Sequence, residues 1–397
     1  MEWKEVTLEE IGTIVGGATP STKRTSFYDG DIPWLTPKDL SANSNKYIFR
    51  GERNITAEGF NSCSCKMLPK GSVLFSSRAP IGYVAIAASE MCTNQGFKSV
   101  IPNEDTDSEF LYYLLKYNKD NIVSQGSGTT FAEVSGKTMK GIEVVVPKEV
   151  DDQRRIASIL SSLDRKIELN NKINADLEEM AQTIFKNWFV DFEPFKDGKF
   201  VDSELGMIPE GWKVGSPYEY VKVVYGAPYK SAKFNDNGEG FPLIRIRDLK
   251  DCNPQFYTSE ILPQTEYINM GDIVAGMDAE FVPHIWKGKT GLLNQRVCKL
   301  MPQQTSISNL FVLYLMKPEL EFVQSYKTGT TVSHLGKADI DKFVVVLPPL
   351  KVVEEGSKIL DSILQRIKNI SAESCTLSLL RDTLLPRLMS GELEVPE

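Results

Sequence analysis

The feature that most constrains the fold of this chain is an internal repeat, because its second half is a diverged copy of its first half. Several pairs of segments align at a nearly constant spacing: IPWLTPKDL (32–40) with FPLIRIRDL (241–249), LPKGSVLF (68–75) with INMGDIVA (268–275), TNQGFKSVIP (93–102) with LNQRVCKLMP (293–302), and GTTFAEVSGK (128–137) with GTTVSHLGK (329–337). Self-similarity on this scale predicts one structural unit built twice.

Each copy combines strand and helix signals and then ends in one long helix. Short β-rich runs such as 72–75 and 142–146 are bounded by Gly, Pro and Asn, which is typical of strands and turns. A short helical segment lies between them, at 109–117 in the first copy and 309–317 in the second. The pattern predicts an α+β fold with two similar mixed modules. The expected divisions are module 1 (1–149), a central helix (150–190), module 2 (191–349) and a C-terminal helix (350–391).

The two long helices share a coiled-coil pattern in matching register. Steps of three and four connect Ile156, Leu160, Leu163, Ile167, Asn170, Asn174, Leu177, Ala181, Ile184 and Trp188 in the first helix, and Leu360, Ile363, Ile367, Ile370, Ser374, Leu377, Arg381, Leu384 and Leu388 in the second. Polar seam residues such as Asn170, Asn174 and Ser374 can determine how helices align. We expect an antiparallel coiled coil that holds the modules apart about an approximate two-fold axis. The alternative is that each helix packs only on its own module.

Composition excludes several classes of protein. No run approaches the eighteen apolar residues of a membrane span and no secretory signal opens the chain, so a cytoplasmic location is expected. The six cysteines lack a paired C-x-x-C spacing and only two histidines are present, so no metal site is expected. The net charge of −8 is spread evenly, and it argues mildly against nucleic-acid binding unless a basic surface is local.

Motifs for catalysis and cofactor binding are missing. The GKT at 136–138 lacks the earlier glycine of a phosphate-binding loop, since Phe131 stands there. No G-x-G-x-x-G follows a strand, and the adjacent Pro348 and Pro349 lack the Asn-Pro-Pro-aromatic pattern of adenine methyltransferases. We therefore predict no catalytic residues and no cofactor.

Three phrases extend the repeat into a family resemblance. KNWFVDFEPF (186–195) follows the first helix, MIPEGWKV (207–214) opens module 2, and LLPRLMSGELEV (384–395) closes the chain. With the module–helix–module–helix order, they make the whole chain resemble the specificity subunits of type I restriction-modification systems, which act in host defence. The resemblance implies two target recognition domains, each reading half of a split double-stranded DNA sequence, with the helices as a ruler.

The same resemblance implies partners. Methyltransferase subunits would dock on the helices and carry out adenine N6 methylation, and restriction and translocation subunits would bind through them. The chain would then be a non-catalytic subunit of the complex. A protein-binding scaffold and an unrecognised hydrolase remain as alternative functions.

Residues in loops between short strands are the first candidates for reading bases in module 1. Arg78 lies in FSSRAPIG, and Asn94 and Gln95 lie in TNQG. Arginine can pair with guanine through two hydrogen bonds, and Asn or Gln can do so with adenine. The alternative for Asn94 and Gln95 is turn capping, because Asn294 and Gln295 occupy the same places in module 2.

Residues present in both copies suit phosphate contacts better than base contacts, since two readers of different sequences share them. These residues are Thr129, Thr130, Lys137, Thr330, Thr331 and Lys337, with a solvated loop as the alternative. Module 2 lacks an arginine where module 1 has Arg78, so we expect it to read another sequence.

The segment IRIRDLK offers module 2 other cations. Arg245, Arg247 and Lys250 stand where module 1 has Thr36, Lys38 and Ser41, so only the Lys38 position keeps its charge. We expect Arg245 and Arg247 to share one face of a strand. The alternative is surface pairing with Asp248 or Asp251.

Overall fold

A computed structural model of the chain describes residues 1–43, 45–78, 80–127, 132–327 and 334–395. The chain divides into two compact units. The first unit comprises residues 1–168 and 377–397, and the second comprises residues 169–376. Each unit therefore contains one module together with part of both long helices.

The described residues of the first unit form ten strands, five of which make up its main sheet. Its strands are β1 (Trp3–Thr7), β2 (Gly12–Gly16), β3 (Tyr28–Ile32), β4 (Trp34–Leu35), β5 (Tyr47–Ile48), β6 (Val73–Ser77), β7 (Ile81–Ala87), β8 (Cys92–Thr93), β9 (Lys98–Pro102) and β10 (Glu143–Pro147). Its short helices are α1 (Leu8–Ile11), α2 (Pro37–Ala42), α3 (Ala57–Asn61), α4 (Ser108–Tyr117), α5 (Lys119–Ser124) and α6 (Gly136–Lys140), and the long helix α7 (Val150–Phe189) begins here. The sheet has the order β2-β9-β6-β7-β5, while β1 pairs with β10 and β4 pairs in parallel with β8.

The second unit repeats this topology. Its strands are β11 (Phe200–Val201), β12 (Ile208–Pro209), β13 (Lys213–Gly215), β14 (Val221–Tyr225), β15 (Phe241–Ile244), β16 (Tyr257–Thr258), β17 (Tyr267–Ile268), β18 (Ile273–Gly276), β19 (His284–Ile285), β20 (Gly291–Leu293), β21 (Val297–Pro302) and β22 (Val345–Leu347). Its helices are α8 (Asn309–Lys327), α9 (Lys337–Ile340) and the start of α10 (Leu350–Met389). The order β14-β21-β18-β19 matches β2-β9-β6-β7, and the parallel pair β15-β20 matches β4-β8. The predicted α+β duplication is confirmed.

The predicted short helices form the centre of each core. In α4 the Asp107 carboxylate accepts hydrogen bonds from the backbone N–H groups of Glu109 and Phe110, which caps the helix. All residues from 110 to 115 are buried, as expected for a helix enclosed on every side. The corresponding α8 is buried from 310 to 316 and continues to Lys327, further than predicted.

The long helices run antiparallel within each unit. In the second unit, Asn170 Nδ2 donates to Ser374 Oγ at 3.2 Å and Asn174 Nδ2 donates to Ser371 Oγ at 3.1 Å. In the first unit, Arg381 Nη1 lies 2.8 Å from Asp164 Oδ1. Residue numbers rise on α7 as they fall on α10, so the predicted antiparallel pairing is confirmed in both units.

The buried face of α7 departs from the predicted seam toward the C-terminal end of the helix. Its centre holds, because Asn170, Asn174 and Leu177 are buried. Farther along, Phe185 and Phe189 are buried while the predicted Ile184 and Trp188 are only partly covered. The rings of Phe185 and Phe189 pack against Phe311 of module 2, with ring centres 5.6 Å and 5.1 Å apart, so this part of α7 buries the face that covers the module core.

Replacing Asn174 with leucine should stabilise the helix pair. Asn174 is 3% exposed, and its Oδ1 has no hydrogen-bond partner within the described residues. Leucine would lose the hydrogen bond to Ser371 Oγ, but it would remove this unsatisfied acceptor and add apolar contact at the seam. We therefore expect the free energy of unfolding to rise by about 1 kcal/mol. Urea unfolding of Asn174→Leu measures this change, and Asn171→Leu, at an exposed position of α7, is the control. A loss of stability in Asn174→Leu would contradict the prediction.

The described residues contain no helix that is long and apolar enough to cross a membrane. Among them, no group of three or more His, Cys, Asp or Glu side chains is placed to hold a metal ion. All six cysteines are described, and each is a free thiol.

Candidate functional site

Both modules hold three chain segments together through the same backbone hydrogen bonds. In module 1, Ser77 N donates to Gly96 O at 2.7 Å, and Val134 N donates to Ser77 O at 3.0 Å. We call residues 77–78, 93–96 and 133–134 the loop framework of module 1. It brings Arg78 beside the turn that carries Asn94 and Gln95, which the sequence analysis named as candidates in two separate segments.

Module 2 has the equivalent loop framework at residues 277–278, 293–296 and 334–335. Met277 N donates to Arg296 O at 2.9 Å, and Leu335 N donates to Met277 O at 2.8 Å. The two frameworks therefore share one backbone arrangement and present different side chains.

In each module, a glycine at the end of a strand packs closely against the backbone of the loop framework. Ala18 N donates to Thr93 O at 3.0 Å, and a Cβ added at the preceding Gly17 would lie 2.1 Å from the same oxygen. In module 2, Ala227 N donates to Leu293 O at 2.9 Å, and a Cβ at Gly226 would lie 2.1 Å from Asn294 O. Only glycine permits this approach, so both turns are held tightly in place.

Arg78 belongs to an ion cluster of module 1 that we define as Arg78, Lys98 and Glu133. Arg78 Nη1 lies 3.8 Å from Glu133 Oε2, and Lys98 Nζ lies 3.4 Å from Glu133 Oε1. The Arg78 side chain is 35% exposed. One carboxylate thus orients two cations and leaves guanidinium N–H donors at the surface.

The capping alternative describes the asparagines of the two turns and not the glutamines. Asn94 Oδ1 accepts a hydrogen bond from Gly96 N at 2.8 Å, and Asn294 Oδ1 accepts one from Arg296 N at 3.4 Å. Both asparagines therefore cap their turns. Gln95 and Gln295 are exposed, and Gln95 Oε1 accepts a hydrogen bond from Thr19 Oγ1.

The expectation that Arg245 and Arg247 share a strand face is wrong. Strand β15 ends at Ile244, and Arg245 caps a 3-10 turn over Ile246–Asp248. The cause is Asp248, whose Oδ2 accepts a hydrogen bond from Arg245 N at 2.9 Å, just as Asp39 Oδ2 accepts one from Thr36 N at 2.7 Å in module 1. Burial raises the pKa of Asp248, and the hydrogen bonds from Arg245 oppose that shift.

The basic side chains of this region differ in whether they form ion pairs. Arg245 Nε lies 3.4 Å from Asp248 Oδ2, and its guanidinium carbon lies 4.3 Å from the centre of the Phe256 ring, so the pairing alternative describes it. Lys38 Nζ lies 2.7 Å from Glu52 Oε2, a hydrogen bond that raises the pKa of Lys38. Arg247 and Lys250 are exposed, and neither forms an ion pair within the described part of the chain.

Lys137 and Lys337 are exposed at the starts of α6 and α9, directly after the loop frameworks. The other predicted phosphate contacts, Thr129, Thr130, Thr330 and Thr331, lie outside the described residues. The structure therefore places only the lysines of this set.

Sequence reasoning missed a second ion cluster, formed in module 2 by Asp278, Arg296 and His334. Arg296 Nε lies 3.4 Å from Asp278 Oδ2, and His334 Nδ1 lies 2.7 Å from Asp278 Oδ1. The available signal was the alignment of NQG with NQR, which places an arginine where module 1 has a glycine.

Comparisons with known proteins agree with this architecture. A sequence model of the type I restriction modification DNA specificity domain matches residues 1–179 and 209–374. The MjaIX specificity subunit of Methanocaldococcus jannaschii is 35% identical over 420 residues, spanning 100% of this chain and 94% of that protein. The HindI specificity subunit of Haemophilus influenzae is 23% identical and spans 83% of this chain and 88% of its own length. The crystal structure of the type I S subunit from M. genitalium has the same fold, with a TM-score of 0.51 at 15% identity over 98% of this chain and 96% of that one.

Proposed function

Because the chain belongs to the type I restriction-modification specificity subunits, we propose that its two modules each read one half of a split double-stranded DNA sequence. A specificity subunit confers DNA target specificity and is itself non-catalytic. In the proposal, residues 1–149 and 191–349 are the two target recognition domains. The observation that supports it is the loop framework, which repeats in backbone and differs in side chains between the modules.

The long helices act in this proposal as a ruler between the half-sites. Each is a continuous helix of 40 residues, which at 1.5 Å per residue is about 60 Å long. Since DNA rises by about 3.4 Å per base pair, readers held a few tens of ångströms apart along part of this length would leave several unspecified base pairs between the half-sites.

Catalysis is assigned to partners that the helices bind. Methyltransferase subunits would methylate adenine at N6, restriction and translocation subunits would join through them, and the complex would work in the cytoplasm. The acidic balance of the chain is compatible with this division, because partners can neutralise most phosphates while base reading needs few charges.

The test is methylation mapping in cells that express this chain with its methyltransferase subunits. We expect a single two-part motif with a fixed gap of unspecified bases. Methylation without sequence preference, or at one contiguous motif, would contradict the proposal. Binding without sequence preference would favour the scaffold alternative, and turnover by the isolated chain would favour the hydrolase.

Replacing Arg78 with alanine should relax one half of the mapped motif. A guanidinium that contacts a base through two hydrogen bonds contributes about 1–3 kcal/mol of discrimination. We expect one position to become degenerate while the other half stays intact. Arg50→Ala, at an exposed arginine of the same module, is the control. Uniform weakening at every site with an unchanged motif would instead identify Arg78 as a phosphate contact.

A further inference from the structure

The same backbone bridge carries opposite charges in the two modules. Arg78 pairs with Glu133 through an isolated antiparallel bridge in module 1, and Asp278 pairs with His334 through the equivalent bridge in module 2. A cation therefore stands at the end of β6 in module 1, and an anion stands at the end of β18 in module 2. Asp278 therefore cannot donate hydrogen bonds to a guanine as Arg78 can.

The cation of module 2 stands instead in the turn, at Arg296. Module 1 cannot place a side chain there, because a Cβ at Gly96 would lie 2.8 Å from Pro37 Cγ and 2.9 Å from Asn94 Oδ1. Module 2 has Ile246 in place of Pro37, and Arg296 is 54% exposed. The two modules thus exchange the position of their cation within one framework.

Asp278 orients this arginine from the bridge position. Its Oδ2 lies 3.4 Å from Arg296 Nε, so the Nη groups keep their N–H donors. Its Oδ1 is occupied by His334 Nδ1 at 2.7 Å. The His334 carbonyl in turn accepts a hydrogen bond from Lys327 Nζ at 2.8 Å, and Lys327 Nζ lies 2.7 Å from Asp339 Oδ2 on α9. This chain of contacts fixes the carboxylate before any ligand arrives.

The local charge balance favours a base over a phosphate as the ligand. Asp278 offsets the charge of Arg296, which weakens its attraction to a phosphate, whereas hydrogen bonding to a base edge depends mainly on the position of the donors. Two parallel N–H donors match the O6 and N7 acceptors of guanine in the major groove.

We propose that Arg296 reads a guanine in the half-site of module 2 and that Asp278 is its positioning residue, an inference that rests on the proposed function. Arg78 and Glu133 are the counterparts in module 1. The two half-sites then differ because the reading arginine follows β6 in module 1, at Arg78, and lies in the turn in module 2, at Arg296.

The test is methylation mapping of Arg296→Ala and Arg296→Lys in the complex with methyltransferase subunits. In Arg296→Ala, we expect the preference for guanine at one position of one half-site to fall about 10- to 100-fold, while the half-site altered by Arg78→Ala stays intact. Arg296→Lys keeps the charge and loses the paired donors, so the same position should become degenerate. Lys213→Ala, which removes another exposed, ion-paired cation of module 2, should leave the motif unchanged.

Asp278→Asn tests the positioning role. It should relax the same base position more weakly, and it should add nothing in the double variant with Arg296→Ala, whereas a purely structural role would add to that effect. Thermal unfolding identifies a variant that fails to fold. If Arg296→Ala fails to fold, the motif of Arg296→Lys tests the inference in its place.

An unchanged motif in both Arg296 variants, with or without uniform weakening, would overturn the inference and leave the proposed function standing, since the wild-type motif would still be split. A wild-type motif that is not split would overturn both.

Discussion

Replacing Gly17 with alanine should abolish recognition of one half-site. The added Cβ would lie 2.1 Å from Thr93 O and 2.2 Å from Asn94 O, and both atoms belong to backbone that is held by the sheet and the turn. Overpacking of this kind costs about 1–3 kcal/mol or more, and the turn must move to relieve it. Methylation mapping should therefore show one half of the motif lost or degenerate.

The neighbouring glycine provides the matched control. A Cβ at Gly16 would find its nearest atoms at 4.0 Å, so Gly16→Ala should leave the motif intact. In module 2, Gly226→Ala should produce the same defect in the other half of the motif, because its Cβ would lie 2.1 Å from Asn294 O. Equal behaviour of Gly16→Ala and Gly17→Ala would show that the position of the turn does not determine reading.

Replacing Phe311 with alanine should destabilise the second unit by about 3–5 kcal/mol. Phe311 is fully buried in α8, and its ring centre lies 5.1 Å from that of Phe189 and 5.6 Å from that of Phe185, both on α7. Tyr220 packs on another side at 5.9 Å. Loss of this ring opens a cavity between the long helix and the core of module 2.

Phe322 offers a control on the same helix, since its side chain is 65% exposed. Phe322→Ala should change the free energy of unfolding by less than about 0.5 kcal/mol. Urea unfolding of the two variants measures the difference in the transition that includes the second unit. Similar midpoints for both variants would contradict the role given to Phe311.

The repeat and the helix pairing could be predicted because both leave periodic signals in the sequence. Matched segments locate β6 with β18 and α4 with α8, and a step of three and four locates the polar centre of the seam at Asn170 and Asn174. Such signals consist of the spacing between residues along the chain, so a single sequence is enough to detect them.

The site was less predictable, because its contacts depend on side chains that are distant in the sequence. Asp278 meets His334 across 56 residues, and no local pattern marks that pair. The sequence pattern predicted that Arg245 continues a strand, yet Arg245 hydrogen-bonds to the Asp248 carboxylate and a 3-10 turn begins directly after it. The capping role of Asn94 was foreseen as an alternative because the same residue recurs as Asn294.

The proposed function places two readers at a fixed separation on one chain, so recognition should depend on the gap between the half-sites. The measurement is the affinity of the complex with methyltransferase subunits for duplexes whose two half-sites are kept while the gap is lengthened or shortened by one to three base pairs. Each added base pair shifts one half-site by about 3.4 Å and rotates it by about 35° around the duplex. We expect one preferred gap and a loss of at least about tenfold in affinity for each neighbouring gap. Equal affinity across the series would show that the two readers are not held at a fixed separation.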